Sequence, residues 1–128
     1  MRSVTKQWVE RADYDLETAK FLFKGGRYLY VAFMCQQCIE KTLKAYITSK
    51  EKSPPLIHNL LRLAEESDLM RSMTDGQRLL LADLNPFYIK TRYGEYKDEL
   101  SKICTAVSAK DMLAKTQEFV KWLKPKIK

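Results

Sequence analysis

A carboxylate set inside an apolar stripe is the first feature of this sequence that could do chemistry. Asp15 stands between Trp8, Ala12, Ala19 and Leu22 at helical spacing. Buried there without a partner, its charge would cost several kcal/mol. It is therefore either paired with a cation or placed at the wet edge of the stripe. Glu40 and Lys44 lie four apart on one helical face. They form either a solvated pair worth about 0.2–0.5 kcal/mol or a polar cluster at the inner edge of a bundle, with Lys44 meeting Asp15 or a ligand phosphate. His58, the single histidine, follows Pro54-Pro55 and opens a helix. It packs the loop as a cap-like residue, or it binds or transfers protons, the task its titration range suits. Arg92-Tyr93 falls where a helix ends. Such an Arg can clamp phosphate bidentately and such a Tyr can stack on a base; otherwise Arg92 pairs with Asp15, Glu40 or Glu95.

Other signatures are weak or missing. Cys35 and Cys38 are spaced as a CxxC, but zinc needs four ligands, and only Cys104 and His58 remain, at no motif spacing. A redox pair belongs at a helix N-terminus, whereas this one is mid-helix with Cys35 on the apolar stripe. The three cysteines read as ordinary core residues. No glycine-rich phosphate loop, Ser-His-Asp arrangement or His-rich metal signature is present, and no metal or cofactor is expected.

These residues need helices to position them. Trp8, Ala12, Leu16, Ala19 and Phe23 give one apolar face over Thr5–Lys24, with Thr5 as N-cap and Gly25-Gly26 as the stop. A second helix, Tyr28–Ser49, carries Tyr28, Ala32, Cys35, Ile39, Leu43 and Tyr46. Its first half is apolar all round, so it is central in the bundle or shared with a second subunit. Its second half turns polar at Gln37, Glu40, Lys41 and Lys44. A third helix is expected over His58–Asp68, and a fourth from Asp75, its N-cap, kinked at Pro86. Gly94 should break that helix, and Tyr96–Cys104 reads as a loop or short helical turn. The last helix should begin at Ser108, capped with Asp111 in reply, and end at Pro125. No segment alternates with the period of a half-buried strand.

The composition agrees. The chain has 128 residues, 45% of them hydrophobic, with four glycines and four prolines, which suits one all-helical domain over 1–128, an up-and-down antiparallel bundle of about five helices. A formal charge of +7 and a pI near 9.3 suit anionic partners: nucleic acid, nucleotide phosphates or an acidic protein. No apolar run approaches the roughly 20 residues of a membrane span, and no secretory leader opens the chain. The expected compartment is the cytoplasm.

Ala12-x-x-Asp15-Leu16, then Gln37-Cys38-x-Glu40-Lys41-x-x-Lys44-Ala45, then His58-Asn59-Leu60, then Thr91-Arg92-Tyr93 occur in that order. In these the chain resembles the HEPN domain family, over nearly its whole length. The resemblance implies a helical bundle that is often a homodimer. It also implies, for prokaryotic members, a minimal nucleotidyltransferase as partner in a toxin–antitoxin-type pair. Many relatives are metal-independent ribonucleases, marked by an Arg followed four to six residues later by a His.

The chain departs from that mark. After Arg92 the window holds Lys97, Asp98 and Glu99; before His58 it holds Glu51, Lys52 and Ser53. Cys38 stands where Ala is usual, and Gly94-Glu95 where Pro-Asp often follows Arg-Tyr. The resemblance thus implies a non-catalytic protein that binds a nucleotide or RNA, or a nucleotidyltransferase partner. Lys41, Lys44, His58, Arg92 and Tyr93 would contact the ligand, with Asp15 and Glu40 orienting the cations. A ribonuclease with an altered arrangement around His58 or Arg92, and a purely structural dimeric module, are the alternatives.

Overall fold

The structure, a computed structural model, describes residues 1–90 and 94–128, and the side chains of all but residues 89–98. Its described residues form an all-α up-and-down bundle. The helices are α1 Ser3–Lys24, α2 Tyr28–Ser49, α3 Leu60–Glu66, α4 Asp75–Leu84, α5 Pro86–Lys90, α6 Gly94–Ile103 and α7 Ala106–Leu123. None is long and apolar enough to cross a membrane.

Helix α2 is the axis. It packs on α1, α3, α4, α5, α6 and α7; within its apolar first half Leu29, Val31, Ala32 and Cys35 are buried, while Tyr30 is exposed. Val31, Ala32, Cys35, Ile39 and Leu43 are wholly buried in it, against Leu60 and Leu63 of α3, Leu81 and Leu84 of α4, and Phe119 and Leu123 of α7. Each such leucine or phenylalanine contributes about 1.5–3 kcal/mol by leaving water.

Helix α1 runs antiparallel to α2 through a two-glycine turn. Gly26 takes φ 72°, the left-handed conformation open to glycine. Its N–H then bonds Phe23 O at 3.1 Å and the Arg27 N–H bonds Leu22 O at 2.9 Å, closing the end of α1. The same closure ends α2 at Glu51 (φ 60°) and α3 at Asp68 (φ 65°), where no glycine is present.

Several expected boundaries move, each for a local reason. Thr5 is not a cap. It lies inside α1, wholly buried, its hydroxyl 2.8 Å from that of Thr48 on α2. Helix α3 is shorter than expected and starts after His58, because Asn59 Oδ1 caps it by accepting from Arg62 N at 3.2 Å. Thr74 rather than Asp75 caps α4, in a reciprocal box with Gln77. Thr105 rather than Ser108 caps α7, and Ser108 is the answering residue of its box.

At Pro86 the fourth helix restarts. Helix α4 stops at Leu84, Asn85 turns, and Pro86 opens α5, where its missing N–H has no bond to break. The stretch read as a loop or turn is helix α6, with Leu100 buried and Cys104 just beyond it also buried. Pro125 lies within a short 3-10 turn, Lys124–Lys126, that follows α7.

Candidate functional site

The polar half of α2 faces two ways, and each face is occupied by an ion pair. Asp15 is buried at 6% exposure and accepts a short hydrogen bond from the Lys41 ammonium. The buried-and-paired reading of Asp15 is therefore the correct one, but its partner is Lys41, not Lys44. The antiparallel register sets this. Thr5 meets Thr48, so a residue further along α1 meets one further back along α2. Asp15 comes level with Lys41, while Lys44 comes level with Trp8, its Nζ 5.5 Å from the ring centroid.

Glu40 and Lys44 are not a solvated surface pair. Both side chains are 6% exposed, and Lys44 Nζ donates to Glu40 Oε2 at 3.2 Å. A pair this far from water is expensive to break from one side, about 3–5 kcal/mol, because the remaining charge is stranded. Glu40 also accepts from Gln36 Nε2 at 3.2 Å and lies 3.0 Å through both oxygens from His58 Nδ1.

His58 sits in the segment between α2 and α3, and α2 holds that segment in place. Gln36 Nε2 donates to His58 O at 3.0 Å, and Gln36 Oε1 accepts from Gln37 Nε2 at 2.7 Å. The imidazole lies flat against Tyr88 of α5, centroids 3.7 Å apart and planes 21° from parallel. Its Nδ1 is engaged by Glu40, its side chain is 43% exposed, and Nε2 has no hydrogen-bond partner among the described residues. A carboxylate on one ring nitrogen fixes the ring's orientation and leaves the other for an outside group.

Beside it is a cleft of about 310 Å³ lined by Ile57, His58, Asn59, Asn85 and Tyr88. Asn85 braces its floor: Oδ1 accepts from Leu60 N at 2.7 Å and Nδ2 donates to Asn59 Oδ1 at 3.0 Å. The bend at Asn85–Pro86 thus places Tyr88 against His58 and ties α5 to the start of α3.

The structure brings Glu40, Lys44 and His58 into one cluster and Asp15 and Lys41 into another beside it. Arg92 and Tyr93 lie outside the described residues. Gln36, Asn59, Asn85 and Tyr88 join the cluster without having been singled out as site residues. Gln36 carried a signal, being a polar residue in the apolar half of α2. The cysteines are free and buried. Burial pushes the Cys35 thiol up to about 11 and that of Cys38 up to about 12, so neither is a nucleophile at neutral pH. Among the described residues no cluster could hold a metal ion.

Residues 5–126 match the HEPN domain family. The chain belongs to that family. Two solved structures share the HEPN fold across their whole length. The protein TT1696 from Thermus thermophilus superposes with a TM-score of 0.84 at 22% identity, covering 98% of this chain and 99% of that one. ST0689, described as an archaeal HEPN homologue, gives 0.76 at 21% identity with full coverage of both. At such identities the likeness concerns the fold alone. Among curated proteins none matches.

Proposed function

We propose that this HEPN protein is non-catalytic and binds a nucleotide at the cleft faced by His58 and Tyr88. We further propose that it acts as a homodimer and partners a minimal nucleotidyltransferase in a toxin–antitoxin-type pair. The observation carrying the nucleotide reading is the held imidazole. Glu40 and Tyr88 hold the ring of His58, its Nε2 has no hydrogen-bond partner among the described residues, and the adjoining cleft is of a size to take a small organic group. Arg92 and Tyr93 follow Tyr88 closely in the chain and suit a phosphate and a base. Lys41 and Lys44 support the site differently from a direct phosphate contact. Each is neutralised by a carboxylate, so their role is to hold Asp15 and Glu40, and through Glu40 the histidine.

Calorimetric titration with ATP and GTP tests this. Saturable heat is expected with the wild type and its loss with His58→Ala and Arg92→Ala. Absence of heat from the wild type with either nucleotide would remove the support. Homodimerisation would be checked by light scattering, and the nucleotidyltransferase by co-purification from the native host.

One observation favours a second reading, a ribonuclease with a non-standard site. A carboxylate–histidine pair is also how an acid–base catalyst is oriented. That reading predicts RNA cleavage without added metal, abolished in His58→Ala. Intact RNA after prolonged incubation would exclude it.

A further inference from the structure

The two asparagines on the His58 cleft are locked against flipping. Asn85 Oδ1 accepts from the backbone N–H of Leu60 at 2.7 Å, and Asn59 Oδ1 accepts from the backbone N–H of Arg62 at 3.2 Å. A backbone N–H can only donate, so each of these atoms is the amide oxygen and each Nδ2 faces the other way. Asn85 Nδ2 then gives one N–H to Asn59 Oδ1 at 3.0 Å.

Donors outnumber acceptors as a result. Asn59 Oδ1 receives two hydrogen bonds, which fills both of its lone pairs. The Asn59 Nδ2 group and the second N–H of Asn85 meet no partner among the described residues. Both residues line the cleft of about 310 Å³. Towards a ligand the Asn59 amide is therefore a donor only, with a further N–H from Asn85 beside it. Ile57 and Tyr88 complete the lining, and such apolar surface suits the face of a base better than a phosphate.

An asparagine with both amide atoms available reads adenine, because N7 accepts from its nitrogen while the N6 amine donates to its oxygen. That pairing is closed to Asn59, whose oxygen is already filled. A donor-only amide matches the edge of guanine instead, where O6 and N7 are neighbouring acceptors. Against adenine it would set N–H against the N6 amine and leave donors unpaired, which weakens binding. Resting on the nucleotide reading of this cleft, we propose that it selects a 6-oxopurine base, guanine, over adenine. Asn59 is the specificity-determining residue, and Asn85 fixes its orientation.

Calorimetric titration with GTP, ITP and ATP tests the selection. GTP should bind about tenfold more tightly than ATP, within the discrimination of one good bidentate base contact. ITP keeps O6 and N7 and lacks only the 2-amine, so it should bind as GTP does. Asn59→Asp keeps the oxygen that caps α3 and accepts from Asn85, and Asp caps a helix as well as Asn does. It exchanges the Nδ2 donors for an acceptor. The variant should unfold no earlier than the wild type and reverse the preference, binding ATP more tightly than GTP. Its added charge weakens both triphosphates alike, so the ratio reports on the base. No heat from the wild type with any of the three removes the nucleotide reading and this inference with it. Equal affinity of the wild type for GTP and ATP, a preference for ATP, or ITP as weak as ATP overturns the selection and leaves the nucleotide reading standing. An unchanged ratio in Asn59→Asp does the same.

Discussion

Replacing Glu40 by Gln removes one charge from the centre of the site and almost nothing else. The amide oxygen can still accept from Gln36, and the volume is unchanged. What is lost is the counter-charge of Lys44, whose ammonium lies 3.2 Å away with both side chains 6% exposed. At that separation the attraction is about 5 kcal/mol in a medium of effective dielectric near 20. Retained hydrogen bonding to Gln returns part of this. Glu40→Gln should therefore destabilise the fold by about 3 kcal/mol, within the range for a stranded buried charge, and lower Tm by roughly 10 °C. Lys44→Met should cost less, about 2 kcal/mol, because Glu40 keeps Gln36 and His58. The double variant holds no buried charge at this point and should return to within about 1 kcal/mol of the wild type, a coupling of about 4 kcal/mol. Urea unfolding followed by fluorescence reads this cycle directly, since Lys44 stands over Trp8. If Glu40→Gln is as stable as the wild type, or if the two effects add, the pair is hydrated and the argument from burial fails.

Other outcomes follow from the same geometry. Asp15→Asn should cost about 2 kcal/mol, less than Glu40→Gln because its partner Lys41 is 21% exposed; urea midpoints compare the two. Asn85→Ala leaves the Leu60 N–H without its acceptor and should cost about 1–2 kcal/mol while weakening nucleotide binding through the displaced Tyr88. Asp68→Gly relieves a left-handed backbone conformation and should raise stability by up to about 1 kcal/mol. The Cys35 and Cys38 thiols, raised from 9.0 to about 11 and about 12, keep their protons in the native state while the unfolded chain loses them. Stability is therefore unaffected below about pH 9 and falls above it, by about 1.4 kcal/mol per pH unit for each thiol, up to about pH 11 for Cys35 and about pH 12 for Cys38. A Cys35→Ala/Cys38→Ala variant should lose that part of the alkaline slope in urea titrations at stepped pH.

The helices that carry the site were legible wherever a long apolar period ran between clear stops. The bounds of α2 are those its pattern predicts, and the helix packs on six others, though Tyr30 in its apolar half stays exposed. Caps were less legible. Thr74-Asp75 and His58-Asn59 each offer neighbouring polar side chains, and only the backbone geometry decides which oxygen reaches the first free N–H. Helix α6 was read only as a loop or short helical turn, because Glu95–Glu99 ahead of the buried Leu100 is mostly charged and offers no apolar period.

In the site, Asp15 was visible as an anomaly because a carboxylate in an apolar stripe must be answered. Which lysine answers it depends on the register between α1 and α2, and periodicity within one helix does not contain that. The stack of His58 on Tyr88 depends on the path of residues 50–59 and on the restart at Pro86, neither of which has a period to read. The exposed reading of Glu40 and Lys44 failed because their spacing is the same on a wet face and a dry one; Trp8 of α1 lies against Lys44 and His58 of the following segment against Glu40.

The central functional claim is that the face fixed by Glu40, His58 and Tyr88 binds a nucleotide. Calorimetric titration of wild type and His58→Ala with ATP and GTP addresses it most directly, with both proteins shown to have the same unfolding midpoint. The account predicts saturable binding of at least one nucleotide by the wild type and its loss in the variant. Equal heats from the two proteins, or none from the wild type, would contradict it.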